Sequence, residues 1–318
     1  MDLAVNLALT GVGLAMLCYG GNWLVGGGVS IARRVGISNI VIGMTVVAYG
    51  TSTPELAASI AAAGEHSQII LGNVVGSNIA NVGMVIGVSA MLIPLAVRTT
   101  IRKELLVMAG ASVLLIALSA DGEISRYDGA LLIALLIAFT VLAYRSIRKE
   151  KDSGSGQGPG GDGARTHAKK FYLKPLGLLG AGIALLYVGS ELTVTNAVSI
   201  AQHFGISEKI IGLTVIAIGT SLPELITSVI AIRKGHTDIG IGNIVGSNIY
   251  NILMIMGVAS ALAGVAIVDD IYVDYLVMIA FVLALFAVMK TGLITRKIGI
   301  GLTVSYAAYM VSSFLFLK

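Results

Sequence analysis

Ten apolar stretches, at 3–28, 38–63, 69–94, 103–119, 129–146, 172–198, 207–232, 239–264, 273–289 and 298–317, dominate this chain of 318 residues. Crossing roughly 30 Å of hydrocarbon takes about 20 helical residues, which is the scale of these stretches. Lipid offers no partners to backbone N–H and C=O groups, so spanning segments are helices or closed barrels, and runs of this length fit helices. Composition supports the reading: with 12 % charged residues and 56 % apolar ones, a soluble globule of this size could not cover its surface. The sequence therefore predicts an all-α polytopic membrane protein. The first stretch has no basic segment ahead of it and no obvious cleavage site, and it reads as a retained helix. Cys18 is the only cysteine, so no intrachain disulfide can form.

Net charge of +4 and a pI near 9.1 would suggest a nucleic-acid partner in a soluble chain, but here the basic residues fall between apolar stretches. They report topology instead, and no nucleic-acid partner is expected. With the N-terminus outside, 18 of the 21 Lys and Arg residues lie on one face: Arg33, Arg34, Arg98, Arg102, Lys103, Arg145, Arg148, Lys149, Lys151, Arg165, Lys169, Lys170, Lys174, Arg233, Lys234, Lys290, Arg296 and Lys297. Arg126, Lys209 and Lys318 fall on the other. The positive-inside rule then predicts both termini outside a cell membrane. Nine carboxylates (Asp2, Glu65, Asp121, Glu123, Asp128, Glu208, Asp269, Asp270 and Asp274) share the outer face, as ordinary solvated loop charge. Between the fifth and sixth stretches, GSGQGPGGDG has nothing with which to build a core. The expected organisation is a five-helix unit over 1–147, a flexible cytoplasmic linker over 148–171 and a second five-helix unit over 172–318.

The two units are related. GISNIVIGMTVVAYGTSTPELAAS at 36–59 and GISEKIIGLTVIAIGTSLPELITS at 205–228 share 15 of 24 positions at an offset of 169 residues. One residue further out of step, GNVVGSNIAN at 72–81 matches GNIVGSNIYN at 242–251. Chance likeness between apolar helices would repeat aliphatic residues, whereas this repeats Gly, Thr, Ser, Pro, Glu and Asn. Five spans separate the copies, so the second unit is expected upside down relative to the first. Inverted repeats place a substrate site near the bilayer midplane and supply two related arrangements for alternating access.

Glu55 and Glu224 fall deep in their stretches, where a carboxylate costs several kcal/mol unless it meets a cavity, a partner or an ion. Ala48, Thr51, Ser52 and Glu55 are spaced to share a helix face, and Ala217, Thr220, Ser221 and Glu224 repeat the pattern. Pro54 and Pro223 cannot donate to the preceding turn and loosen carbonyl oxygens there. Ser77 with Asn81, and Ser247 with Asn251, are i, i+4 neighbours. Together these residues offer carboxylate, amide, hydroxyl and carbonyl oxygens without Cys or His, a set suited to hard cations such as Ca²⁺ and Na⁺. Two formal negative charges match one Ca²⁺ or a small cluster of Na⁺, and exchange could arise there. Individual Ser and Thr residues more often bond their own i−4 carbonyl. Asn78 and Asn248 point about 100° from Ser77 and Ser247 and are assigned to interhelical bonding. The glycines of GNVVGSN and GNIVGSN are read as packing positions.

On GTSTPEL (50–56) with GNVVGSNIAN, and GTSLPEL (219–225) with GNIVGSNIYN, the chain resembles the cation/Ca²⁺ antiporter superfamily, specifically its prokaryotic sodium/calcium exchanger branch. The resemblance covers essentially the whole chain. It implies Ca²⁺ export driven by about three Na⁺, with Glu55 and Glu224 as central Ca²⁺ ligands. It further implies carbonyl ligands from Ala48 and Ala217, oxygens mainly for Na⁺ from Thr51, Ser52, Thr220, Ser221, Ser77 and Ser247, and Asn81 and Asn251 at the middle of the site. The first and sixth helices would form a sliding gate. Several relatives, K⁺-dependent exchangers among them, carry Asp where this chain has Asn251; its absence argues against K⁺ coupling and leaves the site one potential charge fewer. The linker is too short for the Ca²⁺-sensing domains of animal exchangers. Glu191, matching Asn22 in the first unit, has no assigned role.

The sequence therefore points to an electrogenic Na⁺/Ca²⁺ antiporter, a secondary active transporter and not an enzyme, with Ca²⁺ and Na⁺ as transported ions, no cofactor, and a pseudo-symmetric monomer in the bilayer. H⁺/Ca²⁺ exchange is the alternative, because carboxylates can cycle protons. A cation channel would usually need a ring of subunits, and an intramembrane hydrolase would need a nucleophile with a base or a metal beside the glutamates.

Overall fold

A computed structural model describes residues 3–64, 66–97, 101–152, 168–205, 217–267, 271–289 and 292–316. Helices make up nearly all of it. In chain order they are α1 (Leu3–Val35), α2 (Asn39–Thr51), α3 (Thr53–Ala62), α4 (Ser67–Leu92), α5 (Arg102–Leu118), α6 (Arg126–Asp152), α7 (Ala168–His203), α8 (Ala217–Thr220), α9 (Leu222–Arg233), α10 (Thr237–Ala263), α11 (Ile271–Met289) and α12 (Arg296–Phe316). Among the described residues six helices are long and apolar enough to cross a membrane: α1, α4, α10, and stretches of α6, α7 and α11. Leu7, Leu106, Val113, Ile137, Leu276, Leu283, Val304 and Leu315 are all exposed by more than half their surface, which lipid tolerates and water does not.

The apolar stretches at 38–63 and 207–232 are not continuous helices. The first breaks at Ser52 (φ −83°, ψ 6°) and the second at Ser221 (φ −88°, ψ 2°), each two residues ahead of Pro54 or Pro223. The proline occupies the second position of the following helix, where its missing N–H costs nothing, and the break lies between the two helical pieces. Residues 206–216, with the expected loop charges Glu208 and Lys209, lie outside the described residues. So do Asp2, Glu65, Arg98, Arg165, Asp269, Asp270, Lys290, Lys318 and positions 153–167 of the expected linker. The helices on either side extend into that linker, α6 to Asp152 and α7 from Ala168.

Gly36 and Gly205, the first residues of the two copies of the repeated stretch, take φ of 74° and 72°. That left-handed conformation suits only glycine comfortably, and it ends α1 and α7. The helices α4 and α10 form the centre, with 78 % and 89 % of their apolar stretches buried, against 22 % in α1 and 11 % in α6. Both carry a π-helical turn, Asn81–Ile86 in α4 and Asn251–Met256 in α10.

Two short ribbons interrupt the all-helical expectation. Strand β1 (Leu95–Ala96) pairs antiparallel with β4 (Leu293–Ile294), and β2 (Glu123–Ile124) pairs antiparallel with β3 (Val265–Ala266). The registers Leu95↔Ile294 and Val265↔Ile124 exchange when each residue number is moved by 170. Glycine contacts follow the same rule. A Cβ on Gly13 would meet the Gly189 carbonyl at 2.8 Å, and one on Gly20 the Gly182 carbonyl at 2.9 Å, an exchange at an offset of 169. Further along, Gly27 lies against Pro175 and Leu179. Partner numbers fall as α1 numbers rise, so α1 and α7 run antiparallel along each other with their backbones close.

Candidate functional site

The broken helices bring Glu55 and Glu224 together. Each occupies the first turn of its helix, α3 or α9, where the partial positive charge of the N-terminus favours a carboxylate. Across each break the C-terminal carbonyls of α2 or α8 supply the opposite dipole end, which favours a cation. Both glutamates are buried, 1 % exposed each, and the two carboxyl groups interact with one another.

The surrounding residues come from both halves of the chain. Ser52 and Ser247 each donate a hydroxyl hydrogen to Glu224 Oε1 at 3.3 Å. Thr51 Oγ1 lies 3.4 Å from Ser247 Oγ, and its one hydrogen is shared between Asn243 Oδ1 at 3.1 Å and the Ala48 carbonyl at 3.2 Å. The Ala48 carbonyl also keeps the N–H of Ser52 at 3.0 Å, so Pro54 has not freed it; the carbonyl deprived of its helical partner is that of Gly50. Ser77, Asn81, Ser221, Ser247 and Asn251 are buried, Thr220 is half-buried, and Ala217 opens α8.

Among the described residues, Glu55 Oε2, Glu224 Oε2, Asn81 Oδ1, Asn251 Oδ1 and Ser221 Oγ are buried with no hydrogen-bond partner. An unpartnered buried oxygen carries a desolvation cost of about 1–3 kcal/mol, more when charged. Five such oxygens on residues of the two repeated motifs form a donor set that a hard cation would satisfy.

Asn78 and Asn248 do bond between helices, as expected: Asn81 Nδ2 donates to Asn248 Oδ1 at 2.9 Å, and Asn251 Nδ2 to Asn78 Oδ1 at 3.3 Å. The general habit of membrane Ser and Thr also holds outside the site, where Thr10, Ser30, Ser112, Ser119 and Ser260 bond their own i−4 carbonyls. Glu191 is exposed on α7 and is not brought to the two central glutamates. Asn22, its counterpart, accepts a hydrogen bond from Lys234 at the end of α9.

Two supporting pairs were not among the expected site residues. Asn73 donates to the Glu55 carbonyl at 3.1 Å and to Ser59 Oγ at 2.9 Å, and Asn243 donates to Ser228 Oγ at 2.9 Å. Their signal lies in the stripe they complete, since Asn73, Ser77 and Asn81 recur every four residues, as do Asn243, Ser247 and Asn251.

A family model described as sodium/calcium exchanger protein matches residues 5–145 and 174–315. Inner membrane protein YrbG of Escherichia coli is 35 % identical over 315 residues, covering 95 % of both chains. Sodium/calcium exchanger MaX1 of Methanosarcina acetivorans is 31 % identical over 347 residues, covering 98 % of this chain and 99 % of the relative. Among solved structures, the sodium-calcium exchanger NCX_Mj soaked with 10 mM Na⁺ and zero Ca²⁺ superposes with a TM-score of 0.83 at 32 % identity, over 98 % of this chain and 99 % of that one.

Proposed function

The chain belongs to the sodium/calcium exchanger family, and on that premise we propose that it is a Na⁺/Ca²⁺ antiporter that moves Ca²⁺ out of the cell against about three Na⁺ by alternating access. The observation that carries the reading is the convergence of Glu55 and Glu224 on facing helix breaks, with unpartnered oxygens of Asn81, Asn251 and Ser221 in the same repeated motifs. Two carboxylates balance the charge of one Ca²⁺, while three Na⁺ carry one charge more, so each cycle moves net charge across the membrane. In this reading Glu55 and Glu224 hold Ca²⁺. Thr51, Ser52, Ser77, Thr220, Ser221 and Ser247, with the carbonyls of Ala48 and Ala217, serve mainly Na⁺.

The same reading assigns ten spans as two inverted five-helix units. The reciprocal strand registers and the antiparallel, glycine-lined crossing of α1 and α7 support it, because contacts that exchange on shifting by one repeat are those of a two-fold axis. Both termini are assigned to the outside and the linker to the cytoplasm, on the charge asymmetry of the loops.

Ion flux in proteoliposomes tests the proposal. Vesicles loaded with Na⁺ and diluted into Na⁺-free medium are expected to take up Ca²⁺, faster with an inside-positive potential that favours exit of the excess Na⁺ charge. Glu55→Gln or Glu224→Gln is expected to abolish uptake. Uptake driven by a pH gradient in the absence of Na⁺ would assign H⁺/Ca²⁺ exchange instead, and full activity in both glutamine variants would place the site elsewhere.

A further inference from the structure

The oxygens of Asn81 and Asn251 that lack partners are turned that way by residues outside the ion-binding set. Each amide donates its nitrogen to the carbonyl end of a second asparagine, Asn248 for Asn81 and Asn78 for Asn251. Those second asparagines are themselves oriented by sulfur. Asn248 Nδ2 lies 3.4 Å from Met108 Sδ on α5, and Asn78 Nδ2 lies 3.8 Å from Met278 Sδ on α11. A thioether has no hydrogen to donate and only accepts, so it takes the amino end of an amide. The carbonyl end of Asn248 or Asn78 then faces the site asparagine, which must answer with N–H, and the remaining oxygen of Asn81 or Asn251 is left for the site.

All six residues are at most 3 % exposed, so bulk solvent does not reach the links. Each link also joins the two halves. Met108, Asn248 and Asn81 alternate between first and second half, and a shift of 170 residues carries that series onto Met278, Asn78 and Asn251. An amide turned the other way would present N–H hydrogens to a cation, replacing attraction with repulsion.

We propose that Met108 with Asn248, and Met278 with Asn78, are positioning relays that fix which end of Asn81 and Asn251 meets the ion. The proposal rests on the reading of Asn81 and Asn251 as ion ligands. It is tested by the Ca²⁺ dependence of Na⁺-driven uptake in wild type, Asn81→Ala, Asn248→Leu and the double variant. Asn248→Leu is expected to raise the half-saturating Ca²⁺ concentration roughly tenfold, the scale of one hydrogen bond to a charged group, with a smaller change in maximal rate. In the Asn81→Ala background it is expected to add nothing, because the group it orients is gone. Met108→Leu keeps volume and burial, so it folds where a lost buried amide could interfere. It is expected to raise half-saturation about threefold alone, a fraction of that one bond, and not at all beside Asn248→Leu. Wild-type affinity in Met108→Leu and Asn248→Leu, or an equal increment of Asn248→Leu in both backgrounds, would overturn the relay while Asn81→Ala still reports a ligand. Unchanged affinity in Asn81→Ala would overturn the ligand reading and the relay with it.

Discussion

At the scale of the residue, one oxygen concentrates much of the site's polar support. Glu224 Oε1 accepts from Ser52 and from Ser247, one from each half of the chain. A hydrogen bond to a charged group is worth about 1.5–3 kcal/mol, so Ser52→Ala or Ser247→Ala is expected to weaken apparent Ca²⁺ affinity by roughly tenfold or more. Uptake titrations with each alanine variant check this, with correct folding read from thermal stability in detergent. The two glutamates were legible in the sequence because a carboxylate at membrane depth has no inexpensive structural role. Asn73 and Asn243 were not, since an asparagine beside glycine reads as a loop or a packing position until its partners, Ser59 and Ser228, are seen in space. The sulfur acceptors Met108 and Met278 were equally silent, because methionine in an apolar helix is indistinguishable from filler by composition.

At the scale of the element, α1 offers an internal comparison. A Cβ on Gly20 would approach the backbone of Gly182 and Leu186 at 2.9 and 3.0 Å, whereas Gly11 and Gly26 have nothing within 4 Å. Gly20→Leu is therefore expected to push α1 off α7 and lower both thermal stability and transport. Gly11→Ala is expected to be neutral or to stabilise by up to about 1 kcal/mol through helix propensity. Denaturation in detergent of the two variants side by side checks the contrast. At the head of α10, His236 is held below the usual imidazole range by partial burial, with Arg33 and Lys234 adding repulsion. The folded chain then binds this proton less readily than the unfolded one, so stability is full above about pH 6.5 and declines as pH falls below it. His236→Gln is expected to remove that part of the acid-side decline in melting temperature. The helix breaks were foreshadowed by Pro54 and Pro223. The π-helical turns after Asn81 and Asn251 were not, because nothing in their local composition distinguishes them from an ordinary helical turn.

At the scale of the molecule, the halves are joined by more than the segment between them. The ribbons β1–β4 and β2–β3, the crossing of α1 with α7 and the amides around the site all tie one half to the other. A protease site placed between 153 and 167 and cut after purification is expected to leave both fragments co-eluting in detergent with Ca²⁺ uptake retained; separation on size exclusion would contradict it. The ten apolar stretches and the internal likeness were readable from the sequence because both are one-dimensional patterns. Which residue of one half faces which residue of the other was not, since a two-residue strand carries too little pattern to announce its partner.

The exchange of contacts under a shift of one repeat has a consequence for each half considered alone. Leu95 meets Ile294 as Val265 meets Ile124, Asn81 meets Asn248 as Asn251 meets Asn78, and Gly13 meets Gly189 as Gly182 meets Gly20. Such pairing is the signature of an isologous interface, in which one surface recognises a copy of itself. At these places each half carries both sides of the contact, and a chain built from two copies of the second half would keep these particular pairings.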